Sequence, residues 1–123
     1  MRIRNLGLLC LIVCWMLPID ASHAAGWSNW GVPTRIDVER GNGIMIWGDF
    51  GNPNGCTVSD AIYVHVSHFQ YDRIYAMALT AFTSGKELIF HSNQCDPVTW
   101  YSVPSTTYNY VTSSDSVNIR NPS

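Results

Sequence analysis

The side chains best suited to holding a ligand are aromatic and lie in two stretches, GWSNWG at 26–31 and WYSVPSTTYNY at 100–110. Trp and Tyr rings offer flat apolar area, while hydroxyl and amide groups beside them donate and accept hydrogen bonds. A sugar or a protein surface requires this combination of groups. The candidate binding residues are Trp27, Trp30, Trp100, Tyr101, Tyr108, Asn109 and Tyr110.

A structural role competes with binding at each of these positions. One buried Trp can anchor a first strand, and antiparallel strands are rich in Tyr for packing reasons alone. If residues 108–110 form a strand, Tyr108 and Tyr110 share one face and Asn109 lies on the other. A functional site here requires that tyrosine pair to be exposed.

Three histidines, His65, His68 and His91, follow the N-terminal segment in none of the spacings of a metal site. H-x-x-E-H, H-E-x-x-H and paired cysteines are absent, and a metal site needs three or four ligands in a fixed shell. His65 and His91 could meet only if their strands are neighbours. The sequence therefore predicts no metal and no other cofactor.

Catalytic signatures are also absent from the sequence. There is no G-x-S-x-G elbow, no free cysteine with a histidine partner and no phosphate-cradling glycine loop. Asp37 and Glu39 share one face of a predicted strand with Arg35, and we interpret them as solvated strand residues. We therefore expect a protein that is not an enzyme.

Residues 1–24 have the three parts of a secretory signal peptide. Arg2 and Arg4 supply positive charge, residues 6–17 form an apolar run, and ASHAA offers small residues for cleavage after Ala24. The apolar run is shorter than the ~20 residues that a membrane-spanning helix needs. We expect a secreted or periplasmic protein without a membrane span; an uncleaved anchor is the alternative.

Two cysteines remain after cleavage, because Cys10 and Cys14 leave with the signal peptide. A single cysteine pair in a small exported chain indicates a disulfide. The C-x-x-C spacing of redox enzymes is absent. We therefore predict a structural disulfide between Cys56 and Cys95.

The charge of residues 25–123 is sparse and slightly acidic. This part carries five of the seven basic residues and eight of the nine acidic ones, without a cluster of Lys or Arg. Nucleic acids and anionic membranes bind basic patches, so neither is an expected partner. Residues 25–123 have the length of one small domain.

Apolar periodicity predicts three strands in the first half of this domain. TRIDVER at 34–40 alternates, IMIWGDF at 44–50 is apolar on both faces, and AIYVHV at 61–66 alternates again. GNG at 41–43 separates the first two strands as a hairpin turn or bulge. The continuously apolar second strand is expected at the centre of a sheet.

One helix is predicted between Ser67 and Gly85. Ser67 and Gln70 match an S-x-x-Q capping box at its start, and Gly85 suits the left-handed position at its end. A helix this apolar needs cover on more than one side. Its apolar face comprises Ile74, Met77, Ala78, Ala81 and Phe82.

The second half is predicted to contain two further strands. KELIFHSN at 86–93 is one, and VTWYSV with TYNYVT forms the last strand or hairpin. NQCDP at 93–97 is predicted as a turn and residues 113–123 as a frayed tail. The order β-β-β-α-β-β predicts a mainly β protein with one central helix (α+β), arranged as a small OB-type, partly open five-stranded barrel.

The block GCTVSDAIYVHVSHFQYDRIYAMALTAFTSGKELIFHSNQC at 55–95 is similar to a known family. It resembles the B subunits of subtilase-cytotoxin and pertussis-like AB5 toxins and their small secreted relatives in Gram-negative bacteria. The similar features are a cysteine before a strand, an aromatic-led helix ending in SGK, and a following strand of alternating apolar residues. The resemblance covers residues 44–103.

The resemblance implies an OB-type barrel. In toxin members it also implies a ring of five copies that binds sialylated host glycans and carries a separate enzymatic subunit. No sugar-binding residue of that family is assigned to a position in this chain. The apolar helix surface differs from the more polar helices that line the pore of such rings.

Three functional hypotheses follow. The first is a secreted, non-catalytic binding module that binds host-cell glycan through exposed aromatic residues as a homo-oligomer, a pentamer if it is toxin-like. The second is a periplasmic protein-binding inhibitor or immunity-type protein. The third is a structural secreted protein without a small ligand.

Overall fold

The computed structural model describes residues 26–39, 42–98 and 105–123. The chain is mainly β with one helix, the α+β class predicted from the sequence. The signal peptide predicted at 1–24 and the candidate residues Trp100 and Tyr101 lie outside the described residues. The elements are β1 (Gly26–Trp27), β2 (Arg35–Glu39), β3 (Gly43–Trp47), β4 (Ala61–His65), α1 (Tyr71–Ser84), β5 (Glu87–Ser92), β6 (Gln94–Asp96), β7 (Tyr108–Tyr110) and β8 (Val117–Arg120).

The described strands form two sheets and do not close a barrel. β1, β5 and β8 make an antiparallel sheet with β5 in the middle. The second sheet has the order β2-β3-β4-β7-β6, and the β4–β7 pair is parallel. β2 and β3 are consecutive antiparallel neighbours that pair up to Glu39 and Gly43, which is the hairpin predicted around GNG.

The central position predicted for β3 is confirmed, because it lies between β2 and β4 and is buried on both faces. Successive side chains of a strand point to opposite faces. Ile44 and Ile46 therefore join a main core shared by both sheets and α1. Met45 instead joins a second cluster on the other face of the same sheet, with Ala61, Tyr63, Val98 and Tyr108.

The helix begins later than predicted. The N-cap is Gln70 rather than Ser67, and α1 starts at Tyr71. Two imidazole rings explain the difference, because each accepts a backbone N–H in the segment before the helix. His65 Nδ1 accepts from the Ser67 N–H at 3.0 Å, and His68 Nδ1 accepts from the Gln70 N–H at 3.0 Å.

The helix ends at Gly85 as predicted, with φ of 65°. Only the side facing the core is covered by the described chain, where Ile74, Ala78 and Ala81 are buried. The prediction that Phe82 belongs to the buried face is wrong, since its side chain is 46% exposed. An apolar strip of the helix therefore faces outward.

Two predictions for the second half are also wrong. The segment predicted as a turn contains β6, and the predicted frayed tail contains β8. β8 pairs with β5 from Glu87↔Arg120 to Phe90↔Val117. The described residues therefore contain four strands after the helix instead of two.

A buried polar network links the loop after β3 to both sheets. Asn109 Oδ1 accepts from the Asn54 N–H at 3.1 Å, and Asn109 Nδ2 donates to Asn52 Oδ1 at 3.0 Å. Asn54 Nδ2 donates to Ser92 Oγ at 2.7 Å, and Ser92 Oγ donates to the Tyr110 carbonyl at 2.8 Å. The loop is thereby joined to the end of β5 and to β7.

The predicted disulfide is present beside this network. Cys56 and Cys95 have Cα atoms 5.6 Å apart and are 39 residues apart in sequence. It connects the segment before β4 to β6, so the strand–helix–strand unit β4-α1-β5 lies within the closed loop.

Removing the disulfide should destabilise the protein. We expect Cys56→Ala with Cys95→Ala to lower the free energy of unfolding by about 4 kcal/mol, because the bridge restricts the unfolded chain. Urea unfolding of the oxidised proteins measures this difference. Reductant should destabilise the native protein but leave the double variant unchanged. A loss below about 1 kcal/mol would contradict the chain-entropy explanation.

Candidate functional site

Trp27 is the most exposed of the described candidate binding residues, at 50%. It lies on β1 directly opposite His91 of β5, and the two rings meet edge to face with centroids 5.1 Å apart. Asn93 follows the end of β5 and donates through Nδ2 to Ser114 Oγ at 3.0 Å. We refer to Trp27, His91, Asn93 and Ser114 as the Trp27 site.

A buried carboxylate fixes the imidazole of this site. His91 Nδ1 lies 2.6 Å from Asp115 Oδ1, and the Asp115 side chain is fully buried. The other oxygen, Oδ2, accepts from the N–H and the hydroxyl of Thr112 at 2.7 and 2.8 Å. Because an ionised carboxylate only accepts, Nδ1 carries the donated proton and Nε2 is the nitrogen left for a ligand.

The Trp27 site combines one exposed aromatic ring with amide, hydroxyl and imidazole groups held in place by other side chains. Asn93 and Ser114 are exposed, and Ser114 Oγ lies 3.0 Å from Thr112 Oγ1. A sugar offers the complementary surface, an apolar ring face bordered by hydroxyls. The arrangement is therefore suited to holding a carbohydrate by stacking and neutral hydrogen bonds.

Trp30 has a structural partner. The Arg120 guanidinium lies over its ring, with Cζ 4.0 Å from the centroid. Arg120 Nη2 also donates to Glu87 Oε2 at 3.1 Å. This cation–π contact, of a kind worth about 0.5–2 kcal/mol, attaches the N-terminal segment to β8, and Trp30 is half-buried.

A binding site on β7 requires Tyr108 and Tyr110 to be exposed, and the structure does not expose this pair. Tyr108 is 3% exposed and packs edge to face against Trp47, with centroids 6.4 Å apart. Asn109 is fully buried in the polar network. Tyr110 is half-buried and packs against Tyr63, with centroids 5.6 Å apart. Of the three residues, only Tyr110 retains part of its surface for a ligand.

A second concave site lies on the outer face of the five-stranded sheet. It has a volume of about 260 Å³. Tyr63 donates its hydroxyl proton to the Asn42 carbonyl at 3.1 Å, beside the carboxylate of Asp96. We call this the tyrosine pocket, and its lining residues are Asn42, Tyr63, His65, Asp96, Pro97 and Val98.

The tyrosine pocket contains a partly buried acidic group, Asp96. Burial raises the pKa of Asp96, and a positive charge on His65 acts in the opposite direction. Burial, followed by the Asp96 charge, raises the pKa of Tyr63 to about 12. Burial and the same charge also raise the pKa of Tyr110.

The sequence prediction missed the residues that surround Trp27. The sequence predicts Asn93 at the boundary between a strand and a turn, and Ser114 and Asp115 in a frayed tail. The pairing of β8 with β5 brings the segment before β8 against the same strand as Trp27. The alternation of ELIFHS does place His91 opposite the buried Phe90 face, and this signal could have been used.

A metal site that includes both His65 and His91 requires their strands to be neighbours. The two residues lie in different sheets, on β4 and β5. Across residues 26–39, 42–98 and 105–123, no three His, Cys, Asp or Glu side chains are grouped to hold a metal ion. Over the same ranges, no helix has the length and apolar character to span a membrane.

Comparison with protein-family models, with curated proteins and with solved structures finds no significant match. The chemistry of the two sites is therefore the basis for interpreting them.

The raised pKa of Tyr63 predicts a specific loss of stability in alkali. The phenol has a folded-state pKa of about 12 against 10.0 for the free group. The unfolded chain therefore ionises first, and the contribution of the neutral phenol is present below pH 10 and lost between pH 10 and 12. Urea unfolding as a function of pH should show a shallower alkaline loss for Tyr63→Phe than for the native protein.

Tyr75→Phe is the matched control, because it removes a phenol from α1 outside the tyrosine pocket. It should flatten the alkaline loss less than Tyr63→Phe does, because its ring stacks on Tyr71 and contributes only in part to the raised pKa of that phenol. Equal slopes for Tyr63→Phe and the native protein would contradict the assignment to Tyr63.

Proposed function

We propose that this protein is a secreted, non-catalytic binding module of the toxin B subunit type that binds host-cell glycan at the Trp27 site. The proposal includes cleavage of residues 1–24 as a signal peptide and an OB-type origin for the mainly β fold. The consecutive antiparallel strands β2, β3 and β4 before the helix, and a disulfide enclosing β4-α1-β5, support that origin. The resemblance of residues 44–103 to toxin B subunits supports the functional class.

The observation that carries the proposal is the half-exposed ring of Trp27 beside fixed polar groups. A Trp in a purely structural role would bury most of its large apolar area, yet half of this side chain faces outward. The groups around it are oriented before any ligand arrives, because His91 is held by Asp115 and Asn93 by Ser114. Preorganisation of this kind lowers the entropic cost of binding.

Glycan rather than phosphate is the favoured ligand class because the Trp27 site contains no Lys or Arg. Its imidazole is bonded to a buried carboxylate. The polar groups that remain are neutral amides and hydroxyls, which match the hydroxyls of a sugar.

An inhibitor or immunity-type protein is the second candidate, and exposed apolar side chains of the helix region favour it. Phe69 is 71% exposed just before α1, and Leu79 and Phe82 are exposed on the helix itself. Exposed apolar patches mark surfaces that bind other proteins. In a ring of B subunits, a second copy of this chain would cover this apolar surface instead of a different protein.

The glycan proposal predicts that Trp27→Ala weakens binding of sialyllactose at least about tenfold, the effect of losing roughly 1.4 kcal/mol of stacking. Saturation-transfer NMR on the native protein and the variant measures the affinity. A glycan array then extends the test to other sugars.

Phe69→Ala is the matched control, because it removes an exposed aromatic ring that stacks on His68 and is not one of the residues of the Trp27 site. It should leave sugar binding unchanged. Equal binding by the native protein and Trp27→Ala would exclude the Trp27 ring as the stacking surface.

The oligomeric state separates the two candidate functions. Size exclusion with light scattering on the oxidised protein should give the mass of a pentamer if the toxin B subunit class is right. In that case Phe82→Ser should shift the mass towards the monomer, because Phe82 would lie at a subunit interface. A monomer or dimer would contradict the ring and favour the inhibitor.

A further inference from the structure

The Asp96 carboxylate in the tyrosine pocket has no hydrogen bond or ion pair within the part of the chain that the structure describes. Its side chain is half-buried, so water compensates the charge only in part. Leaving a charged group desolvated and without a partner is costly. A ligand that brings a positive charge would remove this cost.

The aromatic side chains of the pocket suit the same kind of ligand. Tyr63 and Tyr110 are register partners on the parallel strands β4 and β7, and their rings are inclined by 34°. Tyrosine rings attract cations through the negative potential of their faces. The Asp96 charge raises the pKa of both phenols in part, so the carboxylate is close enough to act electrostatically on both side chains.

The polar atoms that face the pocket mostly accept hydrogen bonds. The Asn42 carbonyl accepts the Tyr63 hydroxyl proton at 3.1 Å and the Val66 N–H at 2.9 Å. His65 Nδ1 accepts from the Ser67 N–H at 3.0 Å. Among the described residues, no Lys or Arg lines the pocket beside Asp96.

We propose that the tyrosine pocket binds an alkylammonium group, with the Asp96 carboxylate as counter-ion and the ring of Tyr63 beside the cation. The ammonium donates to Asp96, and its alkyl part contacts Val98 and Pro97. A volume of about 260 Å³ is at the small end for ligand sites, which suits one ammonium group and a short chain.

This site is separate from the Trp27 site. The tyrosine pocket uses β4 and β6, whereas the Trp27 site uses β1 and β5, which belong to the other sheet. The inference therefore does not rest on glycan binding. An ammonium group of this kind comes from a free amine or from a lysine side chain of another polypeptide.

The test is a titration of the oxidised protein with n-butylammonium, followed by amide NMR. We expect saturable shifts at Tyr63, Asp96 and Tyr110, and at least tenfold weaker binding of n-butanol, which has the same chain without the charge. This comparison needs no variant. Equal affinity for the two probes would overturn the proposal.

Asp96→Asn tests the counter-ion directly. The variant should bind n-butylammonium at least tenfold more weakly, and Asp49→Asn, which removes an exposed carboxylate elsewhere, should bind as the native protein does. A native pattern of dispersed amide signals confirms that Asp96→Asn is folded. Unchanged affinity in a folded Asp96→Asn would overturn the role of the carboxylate.

Nα-acetyl-lysine methylamide distinguishes the two sources of the ammonium group. Binding at least as tight as that of n-butylammonium assigns the pocket to a lysine side chain. Markedly weaker binding assigns it to a free amine, and absence of binding by both probes overturns the proposal.

Discussion

The relative position of the two sheets depends on the buried amide of Asn109. This side chain is fully buried in the middle of β7, and both of its polar atoms are bonded to the loop that carries Asn52 and Asn54. Leaving a buried amide group unpaired costs about 1–3 kcal/mol. A slip of β7 by one residue would place a tyrosine in that position and point the amide to the other face, so the network fixes the register.

Both candidate sites follow from this register. With Asn109 in place, Tyr110 lies against Tyr63, whose ring lines the tyrosine pocket. The same network reaches Ser92 through Asn54, and Ser92 is the residue after His91 on β5. One set of polar contacts thus positions a negative, aromatic pocket on one sheet and a neutral, hydrogen-bonding surface on the other.

The sequence predicted the parts of the fold that local chemistry decides. Alternation placed β2 and β4, continuous apolarity placed β3 at the centre, and Gly85 ended the helix because glycine adopts a positive φ at little cost. It failed where contacts distant in sequence decide the outcome. β8 exists because Val117–Arg120 finds β5, and Tyr108 is buried because Trp47 covers it.

The sequence also did not predict where the helix starts or which residues make up the two sites. A capping box at Ser67 is a reasonable local prediction, but the imidazoles of His65 and His68 accept the N–H groups first. Trp27 was recognised as a candidate from its residue type, whereas its neighbours His91, Asn93 and Ser114 were not. Their grouping requires that residues 26–27 and residues 117–120 pair with the same strand, β5.

The pairing of β5 with both β1 and β8 has a consequence for the order in which the protein can fold. β5 is flanked by residues 26–27 on one side and residues 117–120 on the other. During synthesis, β5 and the helix emerge long before the last strand, and the edge of β5 stays open until residue 120 is made. Contacts so distant in sequence form slowly. The sheet of β1, β5 and β8 is therefore completed only after residues 117–120 have been made.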